Sequence, residues 1–144
     1  MKKMMLAGIM IALMIPAFVF GTEQVEPKGK LIKIFDEETI NATATVSALP
    51  TNLGTTFGYV GVWYQAVSTA GTPNIDIDFK VSYDQTAANF VRPEGESLLV
   101  DDLADETPHV DNIQIPAMPY IKIVATGNAT NPADTVLTLY LFVQ

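Results

Sequence analysis

The sequence predicts an all-β fold: an antiparallel β-sandwich of jelly-roll-like build, with seven to eight strands. Three observations predict it. Residues 75–84, IDIDFKVSYD, alternate strictly. Ile75, Ile77, Phe79, Val81 and Tyr83 fall on one face, and Asp76, Asp78, Lys80 and Ser82 on the other. Short runs rich in β-branched and aromatic residues recur along the chain, separated by Gly, Pro, Asn and Asp. No segment after the first twenty residues carries a helical period. With 144 residues, the chain suits one such domain rather than two.

Residues 1–21 read as a secretory signal peptide. Lys2 and Lys3 precede an apolar run from Met4 to Phe20, and polar residues begin at Thr22. Val19 and Gly21 suit a peptidase site after Gly21, with cleavage after Ala17 as the second choice. The competing reading is a retained anchor, but the run is at the short limit for spanning ~30 Å of hydrocarbon. The chain has no cysteine, so it has no lipoprotein anchor. Residues 22–30, with Pro27 and Gly29, form an extended leader before a β-sandwich domain at 31–144.

Eight strands are expected: 30–35, 40–49, 57–68, 75–84, 96–100, 109–115, 120–127 and 136–144. The last is strongly apolar, with Leu137, Leu139, Leu141 and Val143 on one face. An exposed edge of that kind aggregates, so a central position is expected. Thr22 to Phe35 stands apart from the main run of strands. It is the expected means of assembly, adding a strand to a neighbour's sheet.

Composition excludes several functions. Net charge is −8, from sixteen acidic and eight basic side chains. Such a surface repels phosphate backbones, so no nucleic-acid partner is expected. Without cysteine there is no thiol catalysis, disulfide or cysteine-bound metal.

Candidate chemistry concentrates in VDDLADETPHVD, residues 100–111. From Glu94 to Asp111 the acids are Glu94, Glu96, Asp101, Asp102, Asp105, Glu106 and Asp111. Calcium takes six to eight oxygens, and Asp101, Asp102, Asp105 and Glu106 are the candidate ligands. The spacing matches neither an EF-hand nor a glycine-rich calcium repeat, and the plainer reading is a solvated loop. No other cofactor is expected. His109 is the sole histidine, too few for a usual zinc site. No G-x-S-x-G elbow accompanies Ser82 or Ser97, so no catalytic residue is expected and His109 reads as structural. With sixteen acids, a glycosidase-like carboxylate pair has no specificity.

The aromatic run GYVGVWYQAV offers a ligand-binding alternative. Tyr59 and Trp63 share a face, and Tyr64 points the other way. Trp63 is expected in the core and Tyr64 exposed, where an aromatic ring can stack on a sugar. Asn41 and Asn128 each begin an N-x-T triplet, better explained as turn or strand chemistry.

The second half carries a resemblance. GYVGVWYQAV, GTPNIDIDFKVSYD, DETPHV, PAMPYIKIVATGNATNPADT and VLTLYLF together resemble small jelly-roll-like structural proteins of phage virions and bacterial surface assemblies, over residues 57–144. That resemblance implies a structural, non-enzymatic part. Virion proteins assemble in the cytoplasm, so the signal peptide favours a secreted, periplasmic or cell-surface protein. The expected function is therefore assembly, through self-association or with another extracellular protein, and no membrane contact after cleavage. The alternative is a carbohydrate-binding or adhesion module for a polysaccharide, with calcium as its stabiliser.

Overall fold

The computed structural model describes residues 29–54 and 58–143. The expected signal peptide and residues 22–28 of the leader lie outside these. The described strands are β1 (Lys30–Thr39), β2 (Thr45–Ser47), β3 (Thr51–Asn52), β4 (Gly58–Val67), β5 (Ile75–Ser82), β6 (Val100–Leu103), β7 (His109–Ile115), β8 (Tyr120–Gly127) and β9 (Val136–Val143). They form two sheets, with strand orders β1-β9-β4-β7 and β2-β8-β5-β6; β3 also pairs with β8.

That order is a jelly roll. The pairs β1–β9, β2/β3–β8, β4–β7 and β5–β6 are all antiparallel and alternate between the sheets. A single long ribbon has been rolled up, and closing it adds the pairs β4–β9 and β5–β8. The core lies between the sheets. Val60, Val62, Leu137, Leu139 and Leu141 on one side meet Ile75, Ile77, Phe79, Ile121 and Ile123 on the other. The expected central place of the last strand holds: β9 lies between β1 and β4.

Several local expectations are corrected. Residues 40–49 are not one strand. They give only β2, and the pairing resumes at β3, because residues 40–44 cross between the sheets. There Ile40 N donates to Thr135 O and Thr43 N to Gly127 O. The strand expected at 96–100 starts instead at Val100 and runs through the acids to Leu103, so part of VDDLADETPHVD is strand rather than loop. Tyr83 lies beyond β5 and is exposed. The polar face of β5 is also partly covered. Asp78 is buried and takes a two-point bond from Arg92, at 2.8 Å to each oxygen. Buried Phe90 packs under Lys122 beside it.

The described part of the expected donor segment is paired within the chain. Lys30–Lys33 pairs in register with Lys33↔Tyr140 to Lys30↔Val143, and Phe35 is buried opposite Leu139. Two irregularities, between Lys33 and Phe35 and between Phe35 and Glu38, each insert one residue into β1. The first lets Ile32 and Phe35, three apart, both face the core. Together with exposed Asp36, Glu37 and Glu38 they also blunt this edge against further pairing.

The loop after β8 locks the crossover. Asn131 is buried; its Oδ1 accepts from Asn74 N and Thr135 Oγ1, and its Nδ2 donates to Ile40 O. Gly127 is glycine because a Cβ there would sit 2.2 Å from the Asn41 carbonyl oxygen, which belongs to the crossing backbone. Gly127→Ala should therefore destabilise the domain by about 2 kcal/mol. Gly71→Ala, where the added carbon meets Pro132 at 3.4 Å, should be close to neutral. Urea unfolding of both variants checks this; equal midpoints would refute the account of Gly127.

Candidate functional site

The parity of β4 decides which aromatics are available. Val60, Val62, Tyr64 and Ala66 point into the sandwich, and Tyr59, Gly61, Trp63 and Gln65 point out. This reverses the sequence expectation. Tyr64 is 4% exposed and Trp63 is on the outer face. The reason is the polar tip of Tyr64. Its ring fills the core near the sheet end and stacks on His109 with centroids 5.2 Å apart. Its hydroxyl reaches Asp111 Oδ2 at 2.7 Å, so the phenol is buried without an unpaired donor. Burial, then the bond to Asp111, pushes its pKa up.

Outside, register lines up residues from all four strands of this sheet. One row is Lys33, Tyr140, Trp63 and Val110. The next is Leu31, Phe142, Gly61 and Asn112, and Tyr59 sits opposite Gln114 beyond it. Trp63 and Tyr140 make a tilted pair at 5.6 Å, and Lys33 Nζ lies 5.8 Å over the Tyr140 ring. Leu31, Tyr59 and Val110 are 64%, 66% and 72% exposed. None of these ten residues is acidic, in a chain with sixteen acids. Asp36 lies at the margin, bound to Lys33 at 2.9 Å. Tyr140 and Phe142 were missed in the sequence, which was read for its leucine face. Their alternation with Leu139 and Leu141 was the available signal of a strand apolar on both sides.

The four expected calcium ligands do not come together. Asp101 and Asp102 do, but their third neighbour is Asp76: one carboxylate oxygen from each lies within 4.8 Å of the others. A bulge makes the cluster. Ile75 pairs with Leu103 and Ile77 with Val100, so two residues of β6 oppose Asp76 alone. Asp102 takes φ +53 there, a conformation aspartate tolerates better than most, and its N–H donates to Asp76 Oδ1 at 2.9 Å. Asn128 Nδ2 bonds Asp102 Oδ1 at 2.6 Å and Asp76 Oδ1 at 3.1 Å. Asp105 and Glu106 lie past the end of β6 and turn to local work. Glu106 accepts from Ser68 N. Asp105 accepts from Thr107 and bonds His109 Nε2 at 2.8 Å. With one oxygen from each, the three carboxylates supply half or less of a calcium shell.

A groove of about 300 Å³ runs beside β7, between residues 96–99 and 111–114. Exposed Tyr59 lines it, and buried Phe79 and Ile113 contribute to its lining.

No family model matches the chain, and no curated protein matches it. Among solved structures it is similar to a chain of infectious bursal disease virus, Gx strain, at TM-score 0.46 and 16% identity. That match covers 83% of this chain and 32% of the viral one. It is also similar to the K3 cleaved adhesin domain of Lys-gingipain from Porphyromonas gingivalis w83, at TM-score 0.45 and 14% identity, over 81% of this chain and 73% of that one. The chain thus spans about a third of the viral chain. Both likenesses are loose, and no residue role is carried across. Among the described residues, no helix is long and apolar enough to cross a membrane.

Two predictions concern these carboxylates. The donors from Ser68 and Thr69 hold Asp134 at about 2. Those from Thr107 and His109 hold Asp105 at about 2. Both are depressed from an unfolded value near ~3.9, so their stabilisation is present above about pH 4 and is lost as pH falls towards 2. Thermal melts from pH 5 to 2 should show a shallower loss in Asp134→Asn and Asp105→Asn than in the unaltered chain; parallel curves would contradict this. The second prediction is that Asp101→Asn, which relieves like-charge crowding, raises stability in chelator by about 0.5 kcal/mol. If calcium then stabilises the unaltered chain and not the variant, the cluster holds calcium; an equal response in both dismisses it.

Proposed function

We propose that the chain, after loss of its 1–21 signal peptide, is a secreted, non-enzymatic structural protein of the periplasm or cell surface. Its copies join through the outer face of the four-stranded sheet. The observation that carries this reading is the acid-free apolar surface built from Leu31, Tyr59, Trp63, Val110, Tyr140 and Phe142.

Removing Lys2 and Lys3 leaves six basic against sixteen acidic side chains, a formal side-chain charge of −10. Two such molecules repel over most of their surface. A second copy gains most where no carboxylate is buried against another, and this face is such a place. It is also apolar, with rings and aliphatic side chains on adjacent strands, the kind of surface that sheets bury when they stack about 10 Å apart. A two-fold arrangement would place the same patch on both partners. The blunted β1 edge supports face-to-face contact over strand exchange at the leader. His109 is committed to Asp105 and to the Tyr64 ring, which supports a structural part for it.

Light scattering and sedimentation on residues 22–144 test the proposal. The unaltered chain should associate at micromolar concentration. Val110→Glu and Leu31→Glu, both at exposed positions, should each weaken association about tenfold or more while leaving the melting temperature almost unchanged. A monomer at the highest soluble concentration, or variants that associate like the parent, would sink the reading.

A further inference from the structure

We propose that the groove between β7 and residues 96–99 binds a neutral glycan, with Tyr59 as its stacking platform. The site borders the assembly face and shares Tyr59 with it, but its polar groups and its ligand are different.

A sugar ring presents an apolar C–H face and a rim of hydroxyls. A site for it needs an open aromatic ring beside convergent carboxylates and amides. The groove has both. Tyr59 is 66% exposed yet held on a central strand, directly opposite Gln114. A tyrosine ring has few rotamers to lose, so it makes a pre-ordered platform. Glu96 and Asp111 offer acceptors for hydroxyl protons, and Asn112 and Gln114 offer both donors and acceptors. Among the described residues, the side chains of Glu96, Asn112 and Gln114 make no hydrogen bond, so they are open to a ligand. Asp111 is positioned by the Tyr64 hydroxyl at 2.7 Å through one oxygen, which leaves the other to the groove. The volume, about 300 Å³, takes a short stretch of glycan rather than a large cofactor.

Charge sets the class. Two carboxylates in the lining and the acidic excess of the chain repel sulfated or uronic-acid sugars, so the ligand is neutral. An extended peptide is the competing occupant, since β7 is an edge strand. Strand addition reads backbone groups and needs apolar pockets for alternate side chains. The groove sets the exposed Tyr59 ring beside its carboxylates, amides and Ser97 as well as Leu98, Leu99 and Ile113, and a ring with so many hydroxyl-binding groups next to it favours the glycan.

The test uses Val110→Glu, so that self-association does not mask binding. It would be screened on an array of neutral and sulfated oligosaccharides, and hits titrated by calorimetry. At least one neutral oligosaccharide should bind. Tyr59→Ala and Glu96→Gln, at exposed positions, should each weaken it about tenfold or more. Amide chemical shifts should move at 96–99 and 111–114. Binding confined to sulfated glycans, or no binding to any oligosaccharide, overturns the proposal. So does binding indifferent to Tyr59→Ala, or β7 amides that respond to an extended peptide and not to sugar. A failure here leaves the assembly reading standing, because that is tested separately, by association of the Val110 and Leu31 variants.

Discussion

The pairing of β9 between β1 and β4 is the constraint on which the rest depends. This strand is apolar on both sides, so neither face nor either edge can be left in water without a cost. Its inner residues, Leu137, Leu139, Leu141 and Val143, are buried against the second sheet. Its edges are satisfied by β1 and β4. With both neighbours fixed, the positions of Tyr140 and Phe142 follow, and with them the contacts to Lys33 and Trp63. The surface proposed for assembly is therefore the reverse side of the core's own ordering strand. A change that slipped β9 by one residue would exchange the two sets and destroy core and face together.

Charge is distributed to match. Many of the acids are engaged locally rather than spread as a uniform field. Asp134 holds the Ser68–Thr69 turn, Asp105 holds Thr107 and His109, Asp84 takes the Thr86 N–H and the Asn89 amide, and Asp78 holds Arg92. These bonds shape the connections at the sandwich ends. The patch of Leu31, Tyr59, Trp63, Val110, Tyr140 and Phe142 on the outer face of the four-stranded sheet carries none of these acids; Asp134 and Glu37 lie farther along that face, beside Gln65 and Thr138. Solubility and association are thus assigned to different regions of one small domain.

Sandwich class and the central last strand were legible because they follow from period-two patterning and from the cost of exposing an apolar strand. Parity within β4 was not. GYVGVWYQAV is apolar on both phases, so residue type alone favoured Trp63 for the interior. What decides is the phenol of Tyr64, which finds Asp111 across 47 residues of sequence. The acidic stretch failed for a similar reason. Asp76 was visible only as one polar position in an alternating strand, and the bulge that brings Asp101 and Asp102 opposite it is a property of strand pairing, not of local spacing. The pairing of β1 was not legible because its distance along the chain hid its partner, which is the last strand.

Tyr59 and its cross-strand neighbour Gln114 stand where the two proposed surfaces meet. The ring belongs to the aromatic face and also lines the groove. A copy packed on the face would cover part of the ring that a sugar needs, and a sugar on the ring would displace part of the copy. The two events are then linked, and each must weaken the other by the same factor. A domain built this way would bind glycan best as a free subunit and assemble best where glycan is scarce. The coupling needs no moving part, because a rigid strand presents one side chain to two partners.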